Sequence, residues 1–488
     1  MKTMDNNTKR KLVLVLSEVK RQETGTNRLE YIDVRGSVQK LLDKENHVVY
    51  GRRGSGKTAL LNEVKEKAGN NGGLAIVIDS ELSKNNTFPD IVIKVVVELL
   101  KGLKGEKTFL HHNKYQKKIV SLLEAFNTLL HQADDMAVCS NRGIAKKIHA
   151  NLGKAGFDMG FSVGSNNEIE YKYKQHKESI LIKIDTELRD VIKGWLKSSD
   201  YKYIFLCLDD YYLLNDQSQL KLIDYIHRLC KNTKIYFKVC TIKHYSRLYS
   251  HGDLDGATIT GVQEMHDYTP VSLDAYLEGF EDTNKFIESI LVGAAKFAGI
   301  DNLTEYMSRQ AMKRITWAAG GVPRDAMLIL LEVLDNSDNI GKRAVNNAAK
   351  SVFESSKRAD LVKDSSRQGA DVLNTAFERL YSLFVEQQKT TAFLVERKET
   401  INENEVATIA IINQLHDLRF IHQVVSSISA NKPRLRAKRF IAYAFDIGSY
   451  RTELEIRKEG ERIDEIDITK DKRDNKLRQC PPLEINLV

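Results

Sequence analysis

The chain predicts an α/β fold, a parallel sheet covered by helices on both faces, followed by an all-helical segment and a smaller mixed unit. Three observations carry this. Apolar strand-like runs alternate with helical patterns between residues 47 and 273. A glycine-rich turn, GRRGSGKT (51–58), stands between the first run and a helix-forming stretch. From about 275 to 360 the strand-like runs give way to helical spacing alone.

The elements follow in order. Residues 1–30 carry a charged helical pattern with only a short apolar run and no small-residue cleavage site, so an N-terminal helical extension is expected rather than a signal peptide. Strands are predicted at HVVY (47–50), LAIVID (74–79), YIFLCLDD (203–210), KIYFKVCTI (234–242) and YTPVSL (268–273). Helices fall between them, for example over 89–103 and 220–231. Continuous apolar runs of this kind suit strands buried on both faces, as parallel strands are. The core is expected over 31–274, interrupted by an insertion at about 104–177. Polar helical stretches fill 113–153, and the alternation around Gly164–Asn167 suggests a β-hairpin within 156–177 ahead of a long helix at 177–197.

A helical lid is expected over 275–365 and a winged-helix-like unit with a tail over 366–488. In the latter, Leu373, Phe377, Leu380 and Phe384 share one helical face. A helix near 403–417 and two strand-like runs, 419–429 and 439–450, follow. Between these runs lies KPRLRAKR, with Lys432, Arg434, Arg436, Lys438 and Arg439 at the expected hairpin tip. The charged stretch 457–476 reads as a solvated segment.

Composition sets bounds on function. A chain of 488 residues exceeds one hydrophobic core. Its 74 Lys plus Arg against 66 Asp plus Glu give +8, a mild excess that permits a nucleic-acid partner without demanding one. Cys139, Cys207, Cys230, Cys240 and Cys480 are widely spaced and form no CxxC pair, which argues for reduced core thiols and against a zinc site or disulfide framework. No window offers enough uncharged apolar residues for a membrane span, and a cytoplasmic protein is expected.

The chemistry concentrates at Gly51, Gly54, Ser55, Gly56, Lys57 and Thr58, which satisfy GxxxxGK[ST] with strand before and helix after. Glycines let the backbone fold tightly enough to point N–H groups at a phosphate, and the helix N-terminus adds its positive field. Lys57 is expected on the β- and γ-phosphates and Thr58 on Mg²⁺. Arg52 and Arg53 are expected to point outward. About 150 residues on, Asp209 closes an apolar strand where a carboxylate would hold Mg²⁺ through its water shell, and Asp210 follows as the expected base for the attacking water. Asp210 is a methylene shorter than Glu, so either slow hydrolysis or a water aligned by another group is expected. An intervening strand between the phosphate-loop strand and the acidic strand separates such ATPases from GTPase-like folds. No NKxD or TKxD guanine reader exists, and ITKDKRD puts Asp471 one residue too early, so ATP is favoured.

Two further residues extend the site. Thr241 ends the strand after the acidic one and could touch the γ-phosphate or the water. Gly320-Gly321-Val322-Pro323-Arg324 opens a helix in the lid, a tight turn that would aim Arg324 back at the nucleotide for bidentate phosphate sensing.

Phosphate loop, acidic strand, Thr-bearing strand, lid with G-x-P-R and winged helix, in this order, resemble the AAA+ ATPases of the origin-recognition and initiator type and the related STAND signalling ATPases. LDDYYLL, IHRLCK and YFKVCTIKHYSRLY are similar to a bacterial group of such ATPases. The resemblance covers roughly 30–450 and implies ATP-dependent assembly, sensor roles for Thr241 and Arg324, and a C-terminal domain that contacts DNA or a partner. Arg247, in the helix expected after the Thr strand, is the expected arginine finger toward a neighbouring subunit. Departures are Asp210 in place of Glu and the insertion at 113–177. The five basic residues at 432–439 suit the backbone of double-stranded DNA. The alternative is a switch that exposes a surface to an effector protein, for example in antiviral defence.

Overall fold

The computed structural model describes residues 4–20, 31–33, 35–106, 113–136, 166–250, 260–337, 339–364, 369–398, 402–450, 470–484 and 487. Its centre is a five-stranded parallel sheet. In chain order the strands are β1 (His47–Tyr50), β2 (Gly73–Asp79), β3 (Tyr203–Asp209), β4 (Ile235–Thr241) and, after a two-residue ladder of β5 (Tyr249–Ser250) with β6 (Thr260–Gly261), β7 (Thr269–Ser272). In space they run β2-β3-β4-β1-β7, all parallel.

Alternate residues of these strands feed two different cores. Val48, Leu206 and Leu208 join the helices Asp90–Gly105 and Asp216–Cys230 on one face. Val49, Phe205 and Cys207 join the helix Lys57–Asn70 on the other. Each fully buried side chain of this size contributes about 1.5–3 kcal/mol, which is why uninterrupted apolar runs mark these strands. Cys207, Cys230, Cys240 and Cys480 are buried, as expected of core thiols; Cys139 lies outside the described residues.

β4 stands between β1, which leads into the phosphate loop, and β3, which ends in Asp209. This is the intervening strand predicted above, and with it the parallel sheet has the strand order of a P-loop NTPase fold rather than a GTPase-like one. The helices Asn113–Met136 and Asn166–Ser198 cover the Asp90–Gly105 side. The hairpin expected within 156–177 does not form over its described part, because Asn166–Ser198 is one continuous helix. Glu168/Lys172 and Glu170/Lys174 are helical i,i+4 pairs, a signal that outweighs the short alternation. The rest of that stretch lies outside the described residues, as does 137–153 of the helical insertion.

Beyond β7 the chain is helical over Phe280–Phe297, Arg309–Ala318, Pro323–Asn336, Lys342–Val352 and, through a π-turn at Phe353–Lys357, Arg358–Asp364. Ala370–Tyr381 leads to β8 (Ala392–Glu396), the helix Glu403–Asp417 with a capping box between Asn402 and Glu405, and the hairpin β9 (Ile421–Ile428) and β10 (Phe440–Phe445). These three strands form an antiparallel sheet in the order β8-β10-β9. Among the described residues a single helix separates β8 from β9.

One hydrophobic core joins the N-terminal helix Asn6–Val19, the lid helices and the C-terminal sheet. Phe420, at the start of β9, stands 5.0 Å from Phe353 of the lid and 4.9 Å from Phe377, ring centre to ring centre. The C-terminal sheet is therefore fastened to the lid by aromatic packing. No described helix is long and apolar enough to cross a membrane.

Candidate nucleotide site

β1 delivers the chain to the loop with its backbone held on β4, Gly51 N donating to Thr241 O at 3.1 Å. A side chain on Gly51 would put its Cβ 2.3 Å from Ser55 Oγ. Gly54 and Gly56 take φ of +84° and +96°, conformations that glycine adopts at little cost. The loop so formed ends at the N-terminus of the helix Lys57–Asn70. Ser55 Oγ is buried with no hydrogen-bond partner. Lys57 Nζ donates back to Gly51 O at 2.8 Å and Arg52 O at 3.2 Å, and Thr58 Oγ1 donates to Asp209 Oδ2 at 2.6 Å.

Asp209 and Asp210 diverge at the end of β3. Asp210 sits in the left-handed region at φ +46°, a turn that sends its side chain off the strand. Its N–H donates to Asp209 Oδ1 at 2.9 Å. Burial, and then the neighbouring Asp210 carboxylate, push Asp209 up to about 6. Both line a cavity of about 1670 Å³, together with Gly54, Ser55, Gly56, Lys57, Thr58 and Arg324. Tyr31, Ile32, Phe286, Ile290 and Phe297 make part of the wall apolar. Cationic and hydroxyl groups together with apolar surface in one cavity suit a nucleoside triphosphate. A loop with an unpartnered buried hydroxyl, a lysine resting on its own backbone carbonyls and a Thr–Asp pair has the donors that such a phosphate and its Mg²⁺ take.

The lid touches the loop directly. Arg324 N donates to Gly54 O at 3.2 Å, and a Cβ on Gly54 would meet Arg324 Cβ at 2.6 Å. Burial and the nearby Arg419 and Arg53 lower the pKa of Arg324, so the guanidinium is held where an anion would relieve it. Thr241 is not among the residues lining the cavity; it is fully buried, with its hydroxyl against Ser246 Oγ. Arg247 is exposed outside the cavity, its guanidinium donating to Ser250 Oγ at 3.2 Å. Lys432, Arg434, Arg436, Lys438 and Arg439 are all exposed on the loop between β9 and β10, with Lys438 paired to Glu396 at 2.9 Å.

Arg52 corrects the expectation of outward-pointing loop arginines. It is only 1% exposed, donating from Nε to Asp274 Oδ1 at 3.2 Å and from Nη2 to Ala275 O at 3.0 Å and Gly320 O at 2.8 Å. Its Nη1 faces His422 Nδ1 at 3.4 Å. Arginine has no acceptor atom, so His422 accepts there and its Nε2–H donates to Asp446 Oδ2 at 2.7 Å. Arg419 pairs with Asp325 at 2.8 Å and with Asp360, and donates to Arg53 O at 3.4 Å. Lys357 pairs with Asp325 at 3.2 Å and with Asp446. Asp417 accepts from His244 N at 3.3 Å and stands 3.1 Å from His244 Nδ1. Sequence reasoning missed all of these. Their one available signal was local, HDLRFIH (416–422), which sets four ionisable residues where a helix gives way to a strand.

A scan against protein-family models finds no match, and neither does a search of the curated proteins. Among solved structures, the chain is similar to the Aeropyrum pernix Orc1 protein in complex with DNA, at 13% identity over 90% of this chain and 93% of that one, with a TM-score of 0.38. A Walker-type ATPase of Pyrococcus abyssi aligns at 12% identity over 88% and 99%, with a TM-score of 0.38. RuvB of Thermotoga maritima aligns at 10% over 90% and 92%, with a TM-score of 0.30. With TM-scores below one half, these likenesses add no weight to the sheet order itself.

Proposed function

We propose that the chain is an ATPase of the AAA+ type that binds ATP with Mg²⁺ and uses occupancy to set its conformation or assembly, engaging double-stranded DNA through the loop between β9 and β10. The observation that carries the nucleotide half is the 2.6 Å contact of Thr58 Oγ1 with Asp209, which joins a complete phosphate loop to the acidic strand across an intervening strand. On this reading Lys57 leaves Gly51 O and Arg52 O for the β- and γ-phosphates, Thr58 and Asp209 hold the metal, and Arg324 senses the γ-phosphate from the lid. Asp210 orients the attacking water, with slow turnover. Thr241 acts through Ser246, and Arg247 is the residue available to a neighbouring subunit's site. Lys57→Ala should weaken ATP binding on the order of a hundredfold, the worth of a charge-assisted phosphate contact of about 1.5–3 kcal/mol. Retained affinity in a nucleotide titration overturns the site. Asp210→Asn should bind ATP and turn it over slowly.

The DNA half is supported by five exposed basic residues within 432–439. Replacing all five with alanine should lower the slope of log affinity against log salt by roughly 0.9 for each phosphate that is no longer neutralised. An unchanged slope removes DNA from the proposal. A second reading, a signalling switch that engages an effector protein, is favoured by the helices Asn113–Met136 and Asn166–Ser198, which extend the core beside an exposed Ile182. A protein that co-purifies with wild type and is absent from Lys57→Ala would support it.

A further inference from the structure

Three chain segments face the cavity, and each sends a neighbouring residue to one short turn of the C-terminal unit. In the phosphate loop, Arg53 lines the cavity while Arg52, one residue back, reaches His422. In the lid, Arg324 lines the cavity while Asp325, one residue on, pairs with Arg419. After β4, Tyr245 lines the cavity while His244, one residue back, binds Asp417. Asp417, Arg419 and His422 lie within six residues, from the last residue of the helix Glu403–Asp417 to the second of β9.

We propose that this turn, 416–422, is a coupling element that carries the occupancy of the nucleotide cavity into the hairpin β9–β10. The inference rests on the nucleotide reading above and names the regulation of that same site.

The physical reason is that binding must rearrange groups the turn holds. Lys57 Nζ rests on Gly51 O and Arg52 O, and a phosphate that takes this ammonium frees the carbonyl of Arg52, whose side chain is locked against His422. Arg419 Nη1 donates to Arg53 O at 3.4 Å, so the next peptide of the loop is tied to the turn as well. Any shift of the lid helix that brings Arg324 onto a γ-phosphate moves Asp325, which is fully buried and paired to Arg419. Ionic contacts of this kind are discrete. They hold at one spacing and cost several kcal/mol when a partner is left alone, so the turn moves with the loop and lid rather than letting go.

The turn is also held under strain. Arg419 adopts φ of +68°, a left-handed conformation that a side chain of this size rarely takes. It persists because Asp325, Asp360 and Arg53 O fix its guanidinium from three directions. Downstream the path is short. β9 starts at Ile421, two residues past Arg419, and runs to the basic loop at 432–439. Gly320 completes the joint, since its carbonyl accepts from Arg52 and a Cβ there would lie 2.1 Å from His422 Nδ1.

The test is backbone amide hydrogen exchange on the full chain, with and without Mg²⁺ and a non-hydrolysable ATP analogue, in wild type, His244→Ala and Asp417→Asn. His244 is partly exposed and lies outside the cavity, so His244→Ala is expected to fold and to bind nucleotide as wild type does. In wild type the analogue should change exchange at 416–428 by about fivefold or more, the lower end of ordinary coupling between sites. The variants should keep their loop protection by nucleotide and lose most of the change at 416–428. A fluorescent ATP titration on the same samples reads the nucleotide site separately. Wild type that binds the analogue with no change at 416–428 overturns the coupling and leaves the site standing. Variants that keep the full change also overturn it. Wild type that fails to bind overturns both.

Discussion

On its cavity face the phosphate loop presents Arg53, Ser55, Lys57 and Thr58 to open space, whereas on its opposite face it presents Arg52 to a sealed ionic cluster. The two arginines are adjacent in sequence, and their surroundings share almost nothing. Arg53 is 28% exposed and pairs with Asp360 at 3.5 Å, a contact that water can screen and a phosphate can replace. Arg52, buried, makes bonds to Asp274, Ala275 O, Gly320 O and His422 that solvent does not reach. One face is therefore built to exchange partners, and the other to keep them.

The largest expected difference between the faces is in stability. Arg52→Ala leaves the Asp274 carboxylate with a backbone N–H at 2.9 Å and strands two buried carbonyls. Breaking a buried charged network in this way costs about 3–5 kcal/mol. Arg53→Ala should cost less than about 1 kcal/mol, the worth of a partly exposed pair, and show its effect in ATP affinity instead. Denaturant midpoints of the two variants read the contrast, and equal losses would break it.

A smaller effect sharpens the buried face. Gly320→Ala must place a Cβ at φ +57° and 2.1 Å from His422 Nδ1. The backbone strain and the clash together should cost about 1–3 kcal/mol. Gly320 is not among the cavity-lining residues, so nucleotide affinity should change much less than stability does. A Gly320→Ala protein as stable as wild type would mean that His422 yields freely, and the cluster would not be a rigid face.

The cavity face was legible in the sequence and the buried face was not, for a physical reason. GxxxxGK[ST], LDD and GGVPR are local patterns whose chemistry needs fixed spacing along the chain, and the strands beside them are uninterrupted apolar runs. Arg52, Asp325, Lys357, Arg419, His422 and Asp446 are dispersed over nearly four hundred positions. Charged residues are seldom buried unless paired, so each alone reads as surface, and only the tertiary fold supplies the partner. β8 escapes a sequence reading because five residues, AFLVE, between two helices give too short a period to count. The hairpin expected at 156–177 fails in the opposite sense over its described part, 166–177, since a few alternating residues carry less than the i,i+4 charge pairs of the helix there.

The smallest effect concerns protons, and it tests whether the buried face is neutral where it meets the loop. Burial pushes His422 down to about 4, with the nearby Lys357 and Arg52 acting in the same direction against Asp446. A neutral ring is what lets His422 Nδ1 accept from Arg52 while Nε2–H donates to Asp446. In the unfolded chain the same ring titrates near 6.5. Above that value both states are neutral, and the group adds no pH dependence. As pH falls from about 6.5 toward 4, the unfolded chain takes up a proton that the folded one refuses, so stability falls across that window and levels off below it. His47, held at about 4 by burial and then Lys238, and His416, lowered by burial, act in the same direction. Denaturant midpoints measured between pH 7 and 4.5 should therefore decline, and His422→Gln, which keeps a donor and an acceptor without titrating, should decline less steeply. A His422→Gln slope equal to that of wild type would mean that the ring titrates near 6.5 in the folded chain as well, and a steeper one that it is already protonated at neutral pH. Arg52 would then face a cation across 3.4 Å, and the buried face of the loop would hold by Asp274 and the carbonyls alone.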